Sequence, residues 1–202
     1  MSNLTKIGDY LEANGWTREI AGAADFDAAC KAIKLADEER KGLIISGTFG
    51  VGKTKLAEIV ARKFAYHWHR GFRMIRMGEP DEVEMLDPEW GVRWCEDLHD
   101  EVVLLDDVGA EVAMNEYGII TEPFATFVAA RHNRYMRYLT DGNIITFENG
   151  ARVPFSMMFG TTNLNAAKTD SRYGGRTLSR LKDFCVALPL TGDDKRQWKK
   201  LK

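Results

Sequence analysis

Eight consecutive residues, Gly47-Thr48-Phe49-Gly50-Val51-Gly52-Lys53-Thr54, satisfy the pattern G-x-x-x-x-G-K-[ST] at every fixed position. The chemistry these types can do at this spacing is phosphate capture. The glycines let the backbone curl so that its N–H groups face a β-phosphate. The Lys53 ammonium reaches the β- and γ-phosphates, and the Thr54 hydroxyl is a ligand for Mg2+. The motif follows an apolar run, Gly42–Ser46, and opens a helical pattern whose positive end would face the anion. A chance glycine-rich turn would have neither neighbour.

A second acidic feature lies downstream. Val102-Val103-Leu104-Leu105 runs into Asp106-Asp107, an apolar strand ending in acid, the Walker B pattern. Asp106 is expected to hold the Mg2+ of an ATP complex, directly or through water, and Asp107 to polarise the attacking water. Glu111, four residues on, is a second candidate base. A later apolar run ends in Gly160-Thr161-Thr162-Asn163. In a sheet of this class that strand stands between the phosphate-loop strand and the acidic strand, so Asn163 is the candidate sensor of the γ-phosphate or the water. No Asn-Lys-x-Asp guanine-reading motif is present, which directs the reading to ATP rather than GTP. A phosphotransfer kinase is the less favoured alternative, because two acids and a strand-tip Asn suit activation of water better than a second substrate.

The elements that must hold these residues alternate. A helix around Asp9–Asn14 and a second one capped by Asp25 and running to about Lys41 are expected first. A strand at 42–46, a helix from Lys53 to about Arg70 and a strand at Phe72–Met77 follow. Partly helical chain at 80–98, a strand at Val102–Asp106 and a long amphipathic helix at Pro123–Leu139 come next. Strands at Phe155–Thr161 and Phe184–Leu188 close the list. This is the rhythm of a three-layer α/β P-loop fold with a mainly parallel five-stranded sheet. Asn143–Glu148 and Ala151–Phe155 break it. They flank Asn149-Gly150, a strong hairpin signal, and Pro154 marks the second arm as an edge. Arg152 is the one cation near that tip and faces Glu148, which favours a structural hairpin over a DNA-contacting one.

With these motifs in order, the chain resembles the AAA+ ATPases of the DnaC-type helicase loaders and the IstB-type transposition ATPases, over roughly residues 26–198. The resemblance rests on Gly47–Thr54, on Leu104-Leu-Asp-Asp-Val-Gly-Ala-Glu111, on Thr161-Thr-Asn-Leu164 and on Tyr173-Gly-Gly-Arg-Thr-Leu-Ser-Arg-Leu181. It also includes Leu190-Thr-Gly-Asp-Asp-Lys-Arg196 and Arg131, which stands where the family has an arginine before its sensor strand. In that family ATP sits between subunits. The resemblance therefore implies a homo-oligomer on ATP binding, with Arg180 as the finger that reaches a neighbour's γ-phosphate and Arg176 as its support. It further implies ATP hydrolysis in DNA replication or transposition, with a replicative helicase or a transposase as partner and single-stranded DNA as a possible ligand. Three positions depart from the family. Asp107 stands where many members have glutamate, so slow hydrolysis is expected. Gly175 replaces the glutamate of a YGER box. Only about 24 residues precede the core, where loaders carry a longer helicase-gripping segment. The domain reading is a short segment at 1–24 and an ATPase domain at 25–202. A nucleotide-gated interaction module with little turnover is the alternative function.

The bulk composition agrees with a folded single domain. The 202 residues are 45% hydrophobic and 29% charged, with a net charge of −2, so any nucleic-acid contact needs a local patch. Lys195, Arg196, Lys199, Lys200 and Lys202 form a basic tail, read as a solvated end ahead of a phosphate contact. Cys30, Cys95 and Cys185 form no CxxC pair and read as reduced buried thiols. His67 and His69 are two apart and cannot share a helix face as metal ligands. Trp68, Trp90, Trp94, Phe64 and Tyr66 read as core and rim. No apolar run has the length of a membrane span, no signal peptide is seen, and a cytoplasmic protein is expected.

Overall fold

The computed structural model describes residues 6–83, 86, 101–116, 119–140, 145–146, 152–153, 157–192 and 194. The helices are α1 (Ile7–Ala13), α2 (Arg18–Ala21), α3 (Ala23–Glu39), α4 (Lys53–His67), α5 (Pro80–Val83), α6 (Pro123–Thr140), α7 (Ala166–Tyr173) and α8 (Gly175–Phe184). The strands are β1 (Gly42–Gly47), β2 (Gly71–Arg76), β3 (Glu101–Val108), β4 (Met114–Glu116), β5 (Ile119–Thr121), β6 (Ile145–Thr146), β7 (Arg152–Val153), β8 (Met158–Thr162) and β9 (Cys185–Leu190).

Five strands form one sheet in the order β2-β3-β8-β1-β9, and every pairing in it is parallel. Parallel strands need crossovers and bury both faces, which accounts for the near-continuous apolar runs of β1, β3 and β8. Alternate side chains go to opposite layers. Leu43, Ile45, Val102, Leu104 and Phe159 pack with α3 and α4. Ile75, Val103, Leu105, Met158 and Phe184 pack with α6 and α8 through Phe124, Phe127 and Val128. The fold is thus the expected three-layer α/β sandwich, with its sheet wholly parallel. Ile7, Leu11 and Trp16, from the segment before residue 25, share the first of these cores.

Asp25 does not cap α3. The helix begins at Ala23, behind Gly22, and Asp25 is buried inside the first turn. Its carboxylate accepts from the Thr191 and Gly192 amides at 3.0 and 2.9 Å and from the Thr191 hydroxyl at 3.1 Å. It therefore pins the two residues that follow β9 rather than a helix start. The 143–155 hairpin is present as β6 and β7, antiparallel, with Ile145 opposite Val153 and Thr146 opposite Arg152. Its Asn149-Gly150 tip, most of 84–100 with Trp90, Trp94 and Cys95, and the basic tail from Lys195 on lie outside the described residues. A second short hairpin, β4–β5, is an element that sequence reading missed. Arg131 is fully buried in α6, its guanidinium 5.1 Å from the Phe127 ring. Phe64 is buried and Tyr66 is 85% exposed, so the expected aromatic core takes one and leaves the other in solvent.

Candidate functional site

β1, β3 and β8 are adjacent and parallel, so their C-terminal ends converge on one edge of the sheet, the place where open α/β sheets bind ligands. The loop from Gly47 to Gly52 leaves β1 there and enters α4 at Lys53. Gly52 takes φ of 90°, and a Cβ at that position would come within 3.3 Å of the buried Trp16 indole nitrogen. Only glycine meets both conditions without strain. Lys55 donates to the Gly15 carbonyl at 2.7 Å, fastening the same N-terminal segment to the first turn of α4.

Lys53 is buried, and its ammonium donates to the Gly47 and Thr48 carbonyls at 3.0 and 2.8 Å and to Asn163 Oδ1 at 2.8 Å. The Asn163 amide donates in turn to Asp107 Oδ1 at 2.8 Å. One side chain at the tip of β8 thus bridges the loop lysine and the second aspartate. The first aspartate meets the loop threonine: Thr54 Oγ1 donates to Asp106 Oδ1 at 2.8 Å. Phe49 stands out of the loop, 62% exposed.

The two aspartates are aimed by a bulge. Leu105 pairs Gly160 and Val108 pairs Thr162, so Asp106 and Asp107 together oppose Thr161. Thr161 holds both of them, donating to Asp106 Oδ1 at 2.6 Å and accepting from the Asp107 amide at 2.8 Å. Asp107 takes φ of 63°. A non-glycine residue in that region costs on the order of 1–3 kcal/mol, and Asp and Asn are among the few that visit it readily. Sequence reading missed Thr161; its only signal was a polar residue midway along the end of an apolar strand.

Glu111 is elsewhere. Its side chain is fully buried, Oε2 accepts from the Gly109 amide at 2.8 Å, and Oε1 accepts from the Tyr173 hydroxyl. Both oxygens are engaged away from Lys53 and Thr54, whereas Asp107 is exposed beside Asn163. Arg176 and Arg180 lie one turn apart on α8, on the flank of its buried Thr177, Leu181 and Phe184, with Arg176 exposed and Arg180 half-buried. Among the described residues neither arginine makes a hydrogen bond or an ion pair, and the lysine–threonine–aspartate cluster is built without them. The described residues contain no group of three or more His, Cys, Asp or Glu side chains that could hold a metal by themselves.

The overall fold is shared with solved structures. The DnaC helicase loader superposes with a TM-score of 0.54 at 18% identity, over 82% of this chain and 90% of that one. The two chains share a fold. A putative primosome component from Streptococcus pyogenes serotype M3 also aligns, with TM-score 0.54, 18% identity and coverage of 86% of this chain and 83% of that one. The replication initiator DnaA bound to AMPPCP and single-stranded DNA aligns at TM-score 0.52 and 17% identity, over 83% of this chain but 46% of that one. No family model and no curated protein sequence matches the chain. No described helix is long and apolar enough to cross a membrane.

Proposed function

We propose that this chain is an AAA+ protein that binds ATP with Mg2+ at Gly47–Thr54 and hydrolyses it, slowly, in an oligomer that serves DNA replication or transposition. The carrying observation is the Asn163 bridge between Lys53 and Asp107, which joins the phosphate-binding cation to a carboxylate within reach of water. Lys53 would leave its loop carbonyls for the β- and γ-phosphates. Thr54 and Asp106, already in contact, are a hard-oxygen pair that fits Mg2+ between phosphates, where the ion would neutralise charge developing in the transferring group. Asp107 would take the water's proton, with Asn163 orienting both. Arg180, supported by Arg176, would reach the γ-phosphate of a neighbouring copy.

Residues 25–202 are read as the ATPase domain and 1–24 as a short N-terminal segment. The likeness to a helicase loader and to a DnaA structure holding an ATP analogue and single-stranded DNA supports a role beside a replicative helicase or a transposase, in the cytoplasm. The second reading, a nucleotide-gated interaction module with little turnover, draws on Asp107, one methylene shorter than a glutamate. Phosphate release from Mg-ATP, with and without single-stranded DNA, separates them. Turnover that is absent in Lys53→Ala and present in the native chain supports the ATPase; tight ATP binding with no release under any condition sinks it.

A further inference from the structure

The turn that follows Asp107 is gripped by two consecutive residues at the end of α7. The Arg172 guanidinium spans two carbonyls, donating through Nη1 to Gly109 O at 2.5 Å and through Nη2 to Glu111 O. Tyr173 donates to the buried Glu111 carboxylate, whose other oxygen accepts from the Gly109 amide at 2.8 Å. Glu122, just ahead of α6, lies 3.6 Å from the same guanidinium. Gly109 sits at φ of 105°, pressed against Leu164 so closely that a Cβ would come within 2.9 Å of Cδ1. The Ala110 amide closes the turn on Asp107 O at 3.0 Å. One residue past Tyr173, Gly174 leads straight into α8 with Arg176 and Arg180.

We propose that Arg172 and Tyr173 are positioning residues that lock the Asp107–Glu111 turn to α7, so that the catalytic carboxylate and the α8 arginines are set by one rigid unit. The inference rests on the ATPase reading above. A fork is needed because the two carbonyls belong to residues two apart, and a lysine ammonium at the end of a flexible stem cannot hold both in fixed geometry. Tyr173 stays a donor throughout any assay range, since burial first, and its Glu111 hydrogen bond next, push its phenol well above the usual tyrosine range.

The test uses the full chain with Arg172→Ala, Arg172→Lys and the milder Tyr173→Phe, reading amide hydrogen exchange at 107–111, affinity for an ATP analogue, and kcat. Exchange at the Gly109 amide should rise at least about 10-fold in all three, affinity should stay within about 3-fold, and kcat should fall at least about 10-fold. On an Asp107→Asn background the same changes should cost no further residual rate, because the group being positioned is already gone. Unchanged exchange, full activity in Arg172→Lys, or a loss that adds to Asp107→Asn overturns the clamp. If the native chain releases no phosphate, the ATPase reading fails, and exchange alone decides the clamp: faster upholds it, unchanged overturns it.

Discussion

Asp107 occupies a backbone conformation that few side chains share, and this governs how it can be replaced. Asparagine is nearly isosteric and tolerates the same φ, so Asp107→Asn removes the proposed base without moving the turn. It should keep ATP affinity within about 3-fold and lower turnover by about 100-fold or more, as read by phosphate release and analogue titration. Asp107→Glu has the longer reach but gives up the residue type suited to the bulge. It should therefore not exceed the native rate, and a several-fold gain would show that reach, not backbone, limits catalysis. Lys53→Ala deletes the cation at the centre of the loop. Two or more charge-assisted bonds at about 1.5–3 kcal/mol each predict an ATP affinity at least about 100-fold weaker in the same titration. Glu111 was indistinguishable from a base in the sequence, being an acid four residues past Asp106-Asp107. Its enclosure by Gly109 and Tyr173 depends on a helix some sixty positions away, which no local pattern encodes.

At the level of elements, legibility followed how local the cause was. β1, β3, α4 and α6 were read from apolar runs, a glycine motif and helical spacing within single windows, and their bounds fell within a few residues. Asp25 was misread because an aspartate before an apolar stripe is a good cap, while its real partners, Thr191 and Gly192, arrive only when the chain has closed. The β4–β5 hairpin, two three-residue strands, was too short to give a period. α8 carries the prediction proper to this scale. Its buried face, Thr177, Leu181 and Phe184, sets Arg176 and Arg180 on the flank of the helix, the first exposed and the second half-buried. Arg180→Ala should bind ATP normally yet lose on the order of 10³-fold in rate. Mixing it with Lys53→Ala should restore part of the activity, one copy giving intact loops and the other intact arginines. A mixture no faster than its parts would remove the inter-subunit role.

For the whole molecule, two buried acids tie stability to alkaline pH. Burial pushes the Cys185 thiol up, and burial with the Glu111 bond does the same for Tyr173. The folded chain keeps protons that the unfolded chain releases, from about pH 8.5 for the thiol and about pH 10 for the phenol. Stability is therefore full below those values and falls as pH rises through them. Urea melts between pH 8 and 10 should show a shallower decline in Cys185→Ala than in the native chain; equal slopes would refute the assignment.

The strand order has a further consequence, for synthesis. β1 ends at Gly47, yet its two neighbours are β8, which begins at Met158, and β9, which begins at Cys185. At about 5–20 residues per second the ribosome leaves β1 without either partner for roughly 5–20 s. Through that interval helices made before Met158 can cover its apolar side chains, but both of its hydrogen-bonding edges stay open. A nascent chain stalled before Met158 should accordingly recruit chaperones that one released after Leu190 does not.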